Sequence, residues 1–279
     1  QFVHKNGFHQ PNDDRLWLQD VSLTVRRPHG NWTFGQFRPS FSRQRITGDQ
    51  QLSVMDRTVA VDAVMPAGGY YASFARDVGV QWESTPHGGW QGYAGVFRGN
   101  GTWQQPGIGH GGPLWNARVL RRFESAGTKW EAGIAGAVRD NESRDFSRVY
   151  SGLNRFRGRD TRLGFEWTAQ HGPWRAAGEW LDARFRGSGG SPNRHADGGY
   201  VEVIRTLAHR TEAVVQWQTF DPDTATVAKN DTSAVTVGLN FTPNGTRNRW
   251  QIDYIFRRER VTETRNNMLQ IQYQHFLTK

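Results

Sequence analysis

From residue 78 onward, short segments of the chain place apolar side chains at every second position, the period of a strand whose two faces meet different surroundings. Ala234 to Phe241 is the cleanest: Val235, Val237, Leu239 and Phe241 share one face, and Thr236, Gly238 and Asn240 the other. Trp250, Ile252, Tyr254 and Phe256 oppose Gln251, Asp253 and Arg257 in the same way, and Leu163, Phe165 and Trp167 oppose Gly164, Glu166 and Thr168. Such a chain must satisfy two chemically distinct surfaces at once. That leaves a soluble β-sandwich or jelly roll, or a barrel whose outer face meets lipid.

The connections separate these two readings. Short joints near residues 29–30, 86–88, 125–128, 171–173, 208–210 and 243–247 alternate with long ones near 43–77, 99–113, 140–160, 186–198, 221–232 and 258–266. A sandwich gives loops no reason to segregate by length, whereas an outer-membrane barrel has short turns at one rim and long loops at the other. Strands are expected over 1–9, 15–28, 31–41, 78–85, 89–98, 114–124, 129–139, 161–170, 174–185, 199–207, 211–220, 233–242, 248–257 and 267–277. The expectation is therefore all-β: one transmembrane antiparallel up-and-down β-barrel spanning 1–279, with about 14 strands, or 16 if an N-terminal part is missing.

Composition agrees. Mean hydropathy is −0.73 and no run approaches the roughly 18 apolar residues of a spanning helix, but lumen-facing residues dilute the hydropathy of a barrel. The absence of cysteine excludes disulfides and thiolate metal sites. Of 35 basic residues only four are lysine, and the net charge is +9. Arginine donates bidentate hydrogen bonds and stays charged, which suits contact with phosphates and carboxylates; codon bias would explain the Arg-to-Lys ratio equally well, but not the sign of the charge.

Trp32, Trp90, Trp115, Trp130, Trp174 and Trp250 stand at or near strand starts, where amphipathic rings would form girdles at the membrane–water interfaces; packing in a soluble core is the alternative. By parity the opposite face lines a water-filled interior and includes Arg118, Arg122, Arg139 and Arg257. Fourteen strands leave a lumen too wide for side chains to fill. The long connection 42–77 is accordingly expected to fold inward as a constriction, with Arg43, Arg45, Arg57 and Arg76 beside Asp49, Asp56, Asp62 and Asp77. Arginines in a narrow passage favour anions. Pairing of these arginines with the loop's own aspartates, merely to hold it folded, is the competing reading.

Several motifs resemble those of the phosphate-selective porin O and P family. Gly35-Gln-Phe-Arg-Pro-Ser-Phe-Ser42 followed by Ser53-Val-Met-Asp-Arg57 is similar to its Gly-x-Phe strand, Pro-Phe-like turn and acidic-Arg pair. Glu179-Trp-Leu-Asp-Ala-Arg184 resembles its Ala-Glu-Tyr strand, Val237-Gly-Leu-Asn-Phe-Thr-Pro-Asn244 its penultimate element, and Leu269 to Phe276 its closing strand. The resemblance implies a passive, trimeric outer-membrane channel favouring anions. It does not carry phosphate selectivity, because the family's Arg ladder and Lys cluster have no position-by-position match here.

Catalytic and cofactor chemistry is not indicated. The nine histidines form no ligand-spaced cluster, and Gly-x-Ser-x-Gly and Walker patterns are missing. The expectation is a porin in the bacterial outer membrane, not an enzyme, needing no cofactor or metal. It would pass small hydrophilic solutes with an anion bias and contact outer-membrane lipid and small anionic solutes, as a homotrimer or within a larger membrane assembly. A barrel sheathing or anchoring a protein partner and an outer-membrane hydrolase are the alternatives. Nucleic-acid binding is not expected, since the charge is spread along the chain.

Overall fold

The structure, a computed structural model, describes residues 2–4, 16–18, 20–65, 75–102, 109–147, 149–208, 210–226, 231–243, 248–259 and 266–275. A two-stranded hairpin pairs β1 (Phe2–His4) with β2 (Leu16–Leu18). The main sheet then runs in chain order: β3 (Val21–Arg27), β4 (Gly30–Phe37), β5 (Asp77–Ser84), β6 (Trp90–Phe97), the short β7 (Gly109–Gly111), β8 (Leu114–Ser125), β9 (Thr128–Arg144) and β10 (Phe156–His171). It continues with β11 (Trp174–Gly187), β12 (Arg194–Ala208), β13 (Thr211–Asp221), β14 (Thr232–Phe241), β15 (Asn248–Glu259) and β16 (Met268–His275). Each strand pairs antiparallel with the next, except that β6 pairs β8 while β7 lies off this path against β9, giving a 14-stranded sheet.

Two differences from the sequence reading stand out. The expected first strand is present only as β1, outside the main sheet, and residues 5–9 lie outside the described residues; so does Phe276 of the expected closing strand. In addition, β9 to β12 run 14–17 residues, passing the expected ends at Arg139, Thr161 and Gly199 by five residues each and that at Phe185 by two. The reason is physical. Apolar alternation reports only the depth of hydrocarbon, an apolar band about 25 Å tall, whereas the hydrogen-bonded ladder continues beyond it with polar residues on the outward face.

The faces segregate as the alternation requires. Leu23, Phe34, Ile134, Phe165, Val237, Ile252 and Ile271 are exposed on the outside, while Gln81, Asn116, Glu166, Glu202, Gln216, Asn240 and Asp253 are buried on the inside. What buries the polar face is the connection between β4 and β5. It carries helix α1 (Arg43–Ile46), a 3-10 turn over Asp49–Gln51 and helix α2 (Val59–Ala63). Ser40 bonds Gln81 of β5 and Asn116 of β8, Ser53 bonds Asn240 of β14, and Asp56 bonds Gln270 of β16. Strands lie about 4.8 Å apart, so a flat sheet would hold β5 and β16 some ten spacings from each other. Their contact with one short segment requires the sheet to curl around it.

This arrangement predicts that Val237→Arg, in the middle of β14 on the outward face, weakens folding into lipid vesicles by about 2–4 kcal/mol. Urea titration of the reconstituted barrel measures it, and an unchanged midpoint would mean Val237 does not meet hydrocarbon.

Candidate functional site

The interior is built on a row of inward carboxylates. Glu166 of β10, Glu179 of β11, Glu202 of β12 and Asp253 of β15 are all buried, and each accepts hydrogen bonds from the segment they enclose. Ser42 Oγ donates to Glu179 Oε2 at 2.6 Å, and the backbone N–H of Gln44 donates to Glu179 Oε1. The N–H of Arg43 donates to Glu166 Oε2 at 3.1 Å, Ser53 Oγ to Glu202, and the N–H of Met55 to Asp253 Oδ2 at 2.8 Å. Ser42 also caps α1, accepting from the N–H of Arg45 at 3.2 Å. The wall thus supplies acceptors for backbone donors that a short helix and its flanks leave unpaired.

The arginines expected to line the passage divide into two groups. Several are consumed by structure: Arg45 Nη1 lies 2.9 Å from Asp62 Oδ1, Arg57 pairs with Asp49 and donates to the Gln44 and Thr47 carbonyls, and Arg76 holds Asp20 through two bonds at 2.9 and 3.1 Å. Arg118 is buried against Glu166, and Arg122 bridges Glu131 at 2.5 Å and Gln91 at 2.7 Å. Arg139 is also buried, donating to the Gly112 carbonyl at 2.9 Å and to Asn100 Oδ1 at 2.8 Å. Arg43 differs, being partly exposed and 3.9 Å from Glu202. Arg257 lies on the inward parity but is exposed at the end of β15. All six tryptophans of the expected girdle are exposed on the outer face. Trp32, Trp90, Trp130, Trp174 and Trp250 follow short connections and stand toward one rim, and Trp115 follows a long connection and stands toward the other.

Charge crowding shows in the titration of the segment. Burial, and then Arg76, Arg45 and Arg57, pull the Arg38 guanidinium down to about 10. Burial pushes the Asp62 carboxyl up to about 6 against the opposing pull of Arg45. Burial also raises Asp49, but Arg57 and its hydrogen bond outweigh that and hold it below its ordinary value.

Two features were not legible from spacing. Toward the long-loop end, the interior is an apolar cluster in which Phe41, Val61 and Val64 meet Phe146, Tyr150, Phe185 and Phe220, and Tyr150 donates to the Ala63 carbonyl at 3.0 Å. Inward-parity phenylalanines at the loop-side ends of strands were the available signal. Toward the short-turn end lies a cavity of about 760 Å³ between residues 43–53 and β11 to β15. Arg43, Arg175, Arg210 and Arg249 face it together with only two carboxylates, Glu202 and Glu212. Arg249 donates to the Gln50 and Leu52 carbonyls at 2.9 and 2.6 Å, and Arg175 pairs with Glu212 at 2.7 Å.

Two outcomes follow. Glu179→Ala strands the Ser42 hydroxyl and the Gln44 N–H and should speed amide exchange across residues 42–46 at least about tenfold, one lost buried acceptor being worth 1–3 kcal/mol; unchanged exchange would refute the clamp. Asp62 holds its proton in the fold over the window from its ordinary 3.8 to about 6. Its contribution therefore favours the folded barrel below that window and is lost as pH rises through it. Asp62→Asn should flatten the drop in urea midpoint between pH 4 and pH 7.

The sequence matches the family described as phosphate-selective porin O and P over residues 4–277. No functionally curated protein matches it. Among solved structures, a loop L8 deletion mutant of OmpT, an outer membrane protein of Vibrio cholerae, superposes with a TM-score of 0.65 at 12% identity, covering 95% of this chain and 82% of that one. An anion-selective porin from Comamonas acidovorans gives a TM-score of 0.61 at 11% identity, with 86% and 67% covered. In-vitro folded OmpT in its trimer form gives 0.61 at 12%, with 92% and 80% covered. These likenesses are to the barrel fold, and the family match spans nearly the whole chain. With its 14-stranded antiparallel sheet, apolar outside and polar inside, the chain belongs to the phosphate-selective porin O and P family of bacterial outer-membrane porins.

Proposed function

We propose that this porin passes small hydrophilic anions by passive diffusion through the interior alongside residues 43–53. The observation that carries the reading is the charge on the cavity at the short-turn end, where four guanidiniums stand against two carboxylates. Donors of this kind replace part of an anion's hydration, weakly enough at each position for the ion to move on. The arginines paired inside the 38–65 segment contribute positive potential and hold the segment in place; Arg43 alone among the segment's expected set faces the cavity. The family's description names phosphate, but with almost no lysine in the chain the proposal is for anions as a class.

A barrel that sheaths a protein partner needs an empty lumen. Here the chain's own segment occupies it and bonds strands from β5 to β16, which supports diffusion past a constriction instead. The trimer form of OmpT supports a homotrimer for this chain, and the exposed tryptophans support anchoring to lipid at the short-turn rim.

Reversal potentials across planar bilayers in a tenfold KCl gradient test the selectivity. Wild-type channels should prefer chloride, and replacing Arg43, Arg175 and Arg210 together by Gln should lower the chloride-to-potassium permeability ratio at least about twofold at low salt. Cation preference in the wild type, or an unchanged ratio in the triple variant, would overturn the reading.

A further inference from the structure

The extensions of β9 to β12 beyond the apolar band carry charge on their outward faces. Arg157 and Arg159 of β10 and Arg184 and Arg186 of β11 point away from the interior, and all four are exposed. Arg159 and Arg186 are direct cross-strand partners. Like charges placed opposite each other destabilise a sheet, so this pairing needs compensation. Asp140 supplies part of it, bound to Arg159 at 2.8 and 2.9 Å, and Asp182 takes Arg184 at 2.9 Å. Among the described residues, Arg157 and Arg186 have no carboxylate partner. Together with Arg159 and its partner Asp140 they line a recess of about 620 Å³.

The recess is built into the ladder. Gly158 sits between Arg157 and Arg159 at a register shift, with φ +138°, and a Cβ there would come 2.1 Å from the Arg186 carbonyl. Only glycine lets the two strands close here, and that closure keeps Arg159 and Arg186 in cross-strand register. Neighbouring strands are about 4.8 Å apart and alternate residues about 7 Å apart, a spacing at which the Arg157 and Arg186 forks can share one tetrahedral dianion, with Arg159 adding its remaining N–H donors.

We infer that this outward cluster binds the phosphate groups of a phosphorylated glycolipid in the outer leaflet. The long loops mark this end as the outer one. Beneath the cluster on the same strands lie Leu163, Phe165 and Trp180, all exposed, so a ligand seated here presents its anionic head to the arginines and its acyl chains to the apolar band. A free phosphate would use only the first of these contacts. The site lies outside the wall, apart from the solute path.

The full-length barrel in detergent, titrated with diphosphoryl lipid A, tests this. Wild-type protein should bind, and Arg157→Gln, Arg159→Gln and Arg186→Gln together should raise the Kd about tenfold or more. Asp140→Asn, which frees Arg159, should lower it about threefold. Equal binding by wild type and triple variant, or weaker binding by Asp140→Asn, would overturn the proposal. So would full competition by inorganic phosphate, which would make the ligand a free anion, or equal affinity for phosphatidylglycerol, which would make it any acidic lipid. The triple variant should keep the wild-type reversal potential, so failure here is distinguishable from failure of the anion-channel reading.

Discussion

Inward carboxylates hold this interior together. A segment of short helices and turns running through the middle of a barrel exposes many backbone donors, and each one left unpaired away from water costs about as much as a lost hydrogen bond. Glu166, Glu179, Glu202 and Asp253 accept from that segment at five points spread over four strands. The same contacts bury carboxylates that would otherwise face an open lumen. Loop and wall therefore each satisfy polar groups of the other.

That reciprocity explains why most of the interior arginines are paired. Arg118 on Glu166, Arg45 on Asp62 and Arg57 on Asp49 neutralise carboxylates used as structural acceptors or helix partners. What remains for solutes is the surplus. It gathers at the short-turn end, where the interior is polar, and not at the long-loop end, where aromatic rings from two connections pack against rings of the strands. Along the axis, the interior thus changes from an apolar, ring-packed end to a polar one rich in arginine.

The wall was readable to the extent that hydrocarbon touches it. The pattern Val235, Val237, Leu239, Phe241 places β14 within a residue of its observed limits, Thr232–Phe241. Where the outward face becomes polar the two-residue period vanishes, so the upper parts of β9 to β12 looked like loop. Helices of four and five residues are too short to show a period, which hid α1 and α2. Parity nominated Arg118, and loop length nominated Arg45, Arg57 and Arg76, but their roles depend on partners distant in the chain, such as Glu166 for Arg118 and Asp20 for Arg76. Arg210 sits in a turn, and Arg175 and Arg249 share inward parity with many polar neighbours, so nothing in sequence order ranked them above the rest.

The connection that fills the lumen leaves and re-enters the wall at residues that face each other, since Phe37 and Asp77 are Cα partners in the β4–β5 register. Everything between them is an insert in one hairpin and contributes no rung to the ladder on either side. Because closing a longer loop adds entropy cost only logarithmically, the insert can lengthen between its anchoring contacts while the ladder stays intact. Insert and frame are in this sense distinct parts, one carried by a single hairpin and the other by the continuous ladder.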